Sequence, residues 1–182
     1  MKKIFSLIAF LFVCYTSYAQ NDGPQEVTPQ VLQKIKANIE RQIPALKQRM
    51  LNRDLNVDEI EFAIDTFRIE QLASKRMAID YSTYSMNEAT IELTASYDKL
   101  LNKYYNKLLK FLKPEDQKIL ISAQRAWLVF QQAEIKLIDT MIKEEYSGGG
   151  SIQSTIQVGS YSSLVVERTK DIFNYYNSIL KE

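Results

Sequence analysis

The chain has 182 residues, a formal net charge of +1, 46% hydrophobic residues and 25% charged residues. This size and composition favour one folded domain with its own core over a disordered or fibrous chain. The sequence contains no histidine, which excludes Ser-His and Cys-His nucleophile pairs and metal sites built on histidine. It has no long acidic or basic block, so we expect no nucleic-acid partner and no charge-driven attachment to a membrane.

The first residues have the pattern of an export signal. Lys2 and Lys3 precede an apolar run from Ile4 to Val13, and small residues follow at Ser17 and Ala19. This pattern predicts a secretory signal peptide that is cleaved after Ala19, which would place the mature protein in the periplasm or outside the cell. The apolar run is too short for a permanent membrane span.

Cys14 is the only cysteine of the chain and allows an alternative, a lipid-anchored protein. Val13 precedes it where lipid-attachment sites normally have glycine, alanine or serine, so cleavage after Ala19 is favoured over lipidation. The mature chain would then lack cysteine and would depend on its core alone for stability, which its length permits.

Two helices are predicted before residue 80. Thr28 and Pro29 are a typical N-cap and first residue for a helix, which Pro44 should kink. Asn56 is suited to cap the second helix. Ile60, Phe62 and Ile64 alternate as in a strand, but the following residues are good helix formers without a turn signal, so a helix is favoured.

Three further helices are predicted. Ser85 and Glu88 have the spacing of a capping box at the start of the third helix. A fourth helix should begin at Pro114 and run to about Glu145. A flexible connection rich in glycine and serine should lead to a fifth helix from about Ser160. The expected inward residues of the third helix are Leu93, Tyr97, Leu100, Tyr104, Leu108 and Phe111, and those of the fifth are Leu164, Ile172, Tyr175 or Tyr176, and Ile179.

The predicted fold class is therefore all-α, a compact bundle of about five helices with the fourth helix at its centre. The fourth helix has apolar residues on two sides, which is typical of a helix with neighbours on both. One stripe is Leu120, Ala123, Trp127, Phe130, Glu134, Leu137 and Met141, and the other is Ile121, Leu128, Ile135, Ile138 and Ile142. At this spacing Trp127 is interpreted as a core residue rather than a ligand platform.

Glu134 is an acid within the first of these apolar stripes. A buried carboxylate needs a partner, and Arg168 occupies a comparable position on the fifth helix, between Leu164 and Ile172. We therefore predict a buried Glu134–Arg168 ion pair, with Arg125 as the alternative partner. A structural pair is favoured over a tuned catalytic acid because no second carboxylate or nucleophile is convincingly placed beside Glu134.

Several motifs resemble those of the lysozyme inhibitor LprI-like family. Their order and spacing are similar over about Met86 to Ile172. The motifs are Met86-Asn87, Asp98-x-x-Leu101-Asn102-x-x-Tyr105, Ala123-Gln124-Arg125-Ala126-Trp127-Leu128 with Phe130 and Ala133-Glu134, Gly149-Gly150-Ser151, and Glu167-Arg168-Thr169. The chain departs from the family at Ala89, Ile135 and Ser160, where members often have cysteine, and at Gln131-Gln132, where Arg-Asp is usual.

The resemblance implies an exported, all-helical domain, and it implies that some relatives bind and inhibit lysozyme. The expected division is a signal peptide over residues 1–19, an N-terminal helical extension over 20–84 and an LprI-like helical domain over 85–182. The signature residues are expected to specify the fold rather than a reaction. They are Gln124, Arg125, Trp127, Glu134 and Arg168.

The sequence thus predicts an exported binding protein of the cell envelope, whose partner is lysozyme or another envelope protein. Lysozymes cut with two carboxylates and are commonly basic, so the acids Glu144 and Glu145 are candidate contacts, together with Tyr146 of the adjoining turn. We expect no catalytic residue, metal or cofactor. The alternative is a non-enzymatic scaffold module of the periplasm that acts through Asn21–Tyr84 on another partner.

Overall fold

A computed structural model of the chain describes residues 23–180. Within this range the protein is all-helical, which confirms the predicted fold class, and no helix there is both long and apolar enough to cross a membrane. The predicted signal peptide and Cys14 lie outside the described residues. The helices are α1 Pro29–Leu51, α2 Val57–Ile79, α3 Thr83–Phe111, α4 Pro114–Met141, α5 Glu144–Ser147 and α6 Ile152–Ile179.

The first two helices begin where the sequence predicts. The Thr28 side chain accepts a hydrogen bond from the Val31 backbone N–H at 3.3 Å, and Pro29 is the first helical residue. At the start of α2, Asn56 and Glu59 form a capping box, with reciprocal hydrogen bonds of 2.8 and 2.9 Å between side chain and backbone. The segment around Phe62, whose apolar residues alternate as in a strand, therefore lies in a helix, as predicted.

The predicted capping box at Ser85 is wrong. Ser82, three residues earlier, has an extended backbone and caps α3 by accepting a hydrogen bond from the Ser85 backbone N–H. The Ser85 hydroxyl instead donates to the carboxylate of Asp80 at 2.6 Å. Both serines have side chains that can cap a helix, but the hydroxyl of the second is bonded to Asp80.

The connection before the last helix is shorter than predicted. α4 ends at Met141, the single turn α5 follows, and the last helix begins at Ile152 rather than about Ser160. Gly148, Gly149 and Gly150 between α5 and α6 all have positive φ angles, which glycine adopts without strain. Gly159 lies inside α6, where a glycine costs only about 1 kcal/mol relative to alanine.

The core lies between α3 and α6, which pack against each other more extensively than any other pair of helices. Most of the inward residues predicted for α3 are buried, and Tyr176 rather than Tyr175 faces inward on α6. The core cluster comprises Tyr97, Leu100, Leu101, Tyr104, Leu108, Leu120, Val165, Ile172, Phe173 and Tyr176. Thr169 is fully buried among them, and its hydroxyl lies 2.7 Å from the Val165 carbonyl and 3.2 Å from that of Tyr97 on α3.

Helix α2 joins this core through an aromatic cluster. The ring of Phe62 stacks on Phe173 with centroids 3.8 Å apart, and the edges of both rings meet Tyr104 at 5.3 and 5.0 Å. Such contacts contribute beyond the burial of area alone. The proposed boundary between residues 84 and 85 stays a prediction, but α2 shares its packing with α3 and α6.

Ion pairs reinforce the contact between α2 and α3. The Lys107 ammonium lies 2.7 Å from Asp58 and 2.6 Å from Glu61, and Lys103 lies 2.6 Å from Asp65. The hydrogen bond from Lys107 holds the pKa of Glu61 below its ordinary value. These pairs are partly exposed, so they orient the two helices more than they stabilise them.

The prediction that the fourth helix is central is wrong. Leu120 is the only fully buried residue of α4, and Phe130, Leu137 and Met141 are each more than half exposed. The aromatic side chains between α3 and α6 already fill the core, so α4 lies against the outside of this pair. Both of its apolar sides are only partly covered within the described residues, since Leu120 and Trp127 pack on the core whereas Leu128 on the other side is 45% exposed.

The positions of Phe173 in the core and Phe130 on α4 allow a direct test of this arrangement. We expect Phe173→Ala to lower the free energy of unfolding by about 3–5 kcal/mol, because the stacked ring leaves a cavity in the core. The matched change Phe130→Ala should cost less than about 1 kcal/mol, because this ring is exposed on α4. Urea unfolding followed by circular dichroism measures both, and equal losses would contradict the outer position of α4.

The buried tyrosines predict loss of stability in alkali. Burial raises the pKa of the Tyr97 phenol and of the Tyr104 phenol, and the hydrogen bond of Tyr97 to Glu70 acts in the same direction. Because the unfolded phenols ionise near pH 10, their contribution is complete below that pH and is lost as the pH rises above it.

We expect Tyr97→Phe and Tyr104→Phe to make the fall of unfolding free energy above about pH 10 less steep. Each substitution removes one phenol that releases its proton on unfolding at this pH. Tyr84→Phe is the control, because Tyr84 is 75% exposed. Denaturant unfolding at a series of pH values gives the slopes. The same slope in all three variants would refute the assignment.

Candidate functional site

Arg168 on α6 organises the contact with α4. Its Nε donates to Oε1 of Gln124 at 3.0 Å, and its guanidinium carbon lies 5.7 Å from the centroid of the Trp127 ring. Further along, Asp139 of α4 accepts a hydrogen bond from Gln157 of α6 at 2.7 Å, so the two helices run antiparallel. Three of the five signature residues thus meet in one cluster that orients α4 on α6.

The predicted Glu134–Arg168 ion pair is wrong. Glu134 lies two turns beyond Trp127, about 10 Å along the α4 axis, whereas Arg168 lies opposite Gln124 and Trp127. Within residues 23–180 neither Glu134 nor the alternative partner Arg125 forms an ion pair. Glu134 is only half-buried, so water can solvate its carboxylate and the burial cost that motivated the prediction does not arise.

A groove of about 280 Å³ lies between α3 and α4. From α3 it is lined by Asp98, Leu101, Asn102 and Tyr105. From α4 it is lined by Ile121, Gln124, Arg125, Trp127, Leu128 and Gln131. Trp127 packs against the core, as the sequence predicts, and it also contributes to this groove, which the sequence interpretation missed.

Several polar groups of this groove are available to a ligand. Arg125, Gln131 and the hydroxyl of Tyr105 have no hydrogen-bond partner within the part of the chain that the structure describes. Asp98 and Asn102 already pair with each other, because the Asn102 amide donates to the Asp98 backbone carbonyl at 2.8 Å and to its carboxylate at 3.2 Å. The groove therefore combines an apolar surface with donors and acceptors that protein atoms leave unused.

The three candidate partner-binding residues lie together on α5 and are exposed. Tyr146 is 59% exposed, and in the described range neither Glu144 nor Glu145 forms an ion pair. The hydroxyl of Ser147 donates to the Ile142 carbonyl at 2.9 Å and accepts from the Gly149 N–H at 3.1 Å. These bonds fix the turn, so it presents its two carboxylates from an ordered backbone.

The outward side of α4 is an apolar surface that leads towards this turn. We call it the outer α4 face. It comprises Ile119, Val129, Phe130, Leu137 and Met141, all more than half exposed. Most of these residues were expected in the core from their spacing in the sequence.

Residues 23–180 contain no cluster of acids that could hold a metal ion. The groove and the α5 turn offer charged groups, hydrogen-bonding groups and apolar contact. Both are suited to recognition.

The family described as lysozyme inhibitor LprI matches residues 73–172, more than half of the chain. The chain belongs to the lysozyme inhibitor LprI family. The match confirms the resemblance noted in the sequence, and its range contains the groove, the α5 turn and Arg168. No curated protein and no solved structure matches the chain.

The contacts of Arg168 predict which residues are coupled energetically. In a double-mutant cycle, Gln124→Ala and Arg168→Ala should show a coupling energy of about 1 kcal/mol, because they share a partly buried hydrogen bond. Glu134→Ala with Arg168→Ala should show less than about 0.5 kcal/mol, because the two side chains do not meet. Thermal and urea unfolding provide the energies. A strong coupling of Glu134 to Arg168 would contradict the register of α4 on α6.

Proposed function

We propose that this protein is exported and inhibits a lysozyme-type enzyme by binding to its cleft. The family match carries the proposal, since it includes the α5 turn with its two exposed acids. Enzymes of this type cleave between two carboxylates in an open cleft and commonly have a basic surface. An acidic turn attracts such a surface and speeds encounter. Occlusion of the cleft then needs no catalytic group in the inhibitor.

The outer α4 face supports the same proposal. Met141 ends α4 only three residues before Glu144, so apolar and acidic contacts adjoin. A stable protein interface buries about 800 Å² on each partner and combines an apolar centre with a polar rim. The outer α4 face supplies apolar side chains and the α5 turn supplies charged ones, which is the composition of such an interface.

We expect the double variant Glu144→Gln/Glu145→Gln to raise the inhibition constant for a basic lysozyme about tenfold, equivalent to about 1.4 kcal/mol. The loss should appear mainly as slower association that depends on salt, because the two acids are exposed. Inhibition of cell-wall lysis and surface-plasmon-resonance kinetics at two ionic strengths measure these quantities.

The matched control is Glu26→Gln/Glu115→Gln, which removes the same charge from two exposed acids outside the turn. We expect its inhibition constant to equal that of the unmodified protein. A further variant, Leu137→Ser, tests the apolar contact and should speed dissociation. The proposal fails if an excess of the unmodified protein leaves lysozyme activity unchanged. It also fails if the two double variants raise the inhibition constant by the same factor.

An N-terminal interaction surface is the second candidate. Helix α1 has only Ile35 and Ile39 buried and packs chiefly on α2, which leaves most of its surface uncovered within the described chain. Removal of residues 21–51 tests it, whereas removal up to residue 84 would also delete Phe62 from the core. A partner protein that no longer binds after removal of residues 21–51, but still binds the Glu144→Gln/Glu145→Gln variant, would favour this surface.

A further inference from the structure

Two sequence segments that lie apart in the chain meet in the α3–α4 groove. The first is Asp98 to Tyr105 on α3, and the second is Gln124 to Leu128 on α4. Each carries a motif of the family resemblance. The core explains the burial of Leu101. It does not explain why the polar residues of both motifs line the same groove.

The walls of the groove are fixed before any ligand binds. Arg168 holds Gln124 by a hydrogen bond of 3.0 Å and lies over the ring of Trp127, which in turn packs against the core. Because Arg168 occupies Oε1 of Gln124, the amide N–H groups of that side chain stay available as donors. A site with fixed walls loses less entropy on binding than a site that must form.

The groups around the groove indicate a neutral, polar ligand. Its lining has one cation, Arg125, and one anion, Asp98, so the formal charges cancel. A phosphorylated ligand would require more cations than this. The side-chain amides of Gln124 and Gln131 and the Tyr105 hydroxyl supply neutral donors and acceptors, and Trp127 with Leu128 supplies apolar surface.

This combination matches the chemistry of a sugar. A pyranose ring has a C–H face that packs against an aromatic side chain, and its edge carries hydroxyls that pair with amides, carboxylates and guanidinium groups. An N-acetyl substituent adds an amide for the glutamines and a methyl group for the apolar surface. The volume of about 280 Å³ is near the lower limit of small-molecule sites, roughly 300 Å³, which suits one or two sugar rings.

We propose that the α3–α4 groove binds a short neutral glycan, with N-acetylated amino sugars as the preferred class. Trp127 and Leu128 form the apolar surface of the site. Gln124, Gln131 and Arg125 contact the hydroxyl or acetamido groups. This site is distinct from the α5 turn, so glycan binding and enzyme inhibition are separate properties.

The chain offers a specific reporter, because Trp127 is its only tryptophan. The full mature protein is titrated with N,N′-diacetylchitobiose, and tryptophan fluorescence and saturation-transfer NMR of the sugar are recorded. We expect a saturable change in fluorescence and transfer to the sugar protons. Cellobiose should bind more weakly, because it lacks the acetamido groups. The dipeptide Ala-Ala tests the alternative that Arg125 and Asp98 recognise a zwitterion.

Two neighbouring glutamines give matched variants. Gln131 lines the groove, whereas Gln132 is exposed outside it, and neither is fully buried. We expect Gln131→Ala to raise the Kd for diacetylchitobiose about threefold to tenfold, the loss of one or more hydrogen bonds. Gln132→Ala and Glu144→Gln/Glu145→Gln should leave this Kd unchanged, which keeps the test independent of enzyme inhibition.

Three results would overturn the proposal. The first is the absence of saturable binding by either readout up to high-millimolar sugar. The second is an equal effect of Gln131→Ala and Gln132→Ala, which would place binding outside the groove. The third is binding of Ala-Ala as tight as that of the sugar, which would assign the groove to zwitterions.

Discussion

The packing of α3 against α6 is the contact on which the rest of the structure depends. Thr169 on α6 is fully buried and reaches the backbone of α3, and Tyr104 is enclosed by Phe62 and Phe173. Such close packing tolerates little change of volume, so it fixes the distance and register of the two helices. The other helices take positions around this pair: α2 closes one side and α4 lies on another.

The sequence predicts the helices and the core face of α3, but it does not predict which helix is central. Hydrophobic periodicity shows that a helix has an apolar side, but it does not show whether another helix covers that side. Phe130 and Leu137 therefore fitted a core stripe as well as an exposed face. The capping of α3 by Ser82 was missed because the hydrogen bond of Ser85 to Asp80 depends on the folded arrangement and not on local spacing.

The candidate site was predicted in part. The signature motif identified Gln124, Trp127 and Arg168, and the structure brings these three together. It did not identify their contacts, because these depend on the register of α4 on α6, and spacing within one helix carries no such information. The groove was missed because its residues come from two helices whose relative position only the fold determines.

The narrow attachment of α4 has a consequence for its dynamics. Since Leu120 is the one buried residue of α4, we expect this helix to open at a lower free energy than the core it lies on, while α3 and α6 stay closed. The groove is on one side of α4 and the outer α4 face is on another. A ligand in the groove contacts α3 and α4 together, so we expect it to raise the free energy needed to open α4.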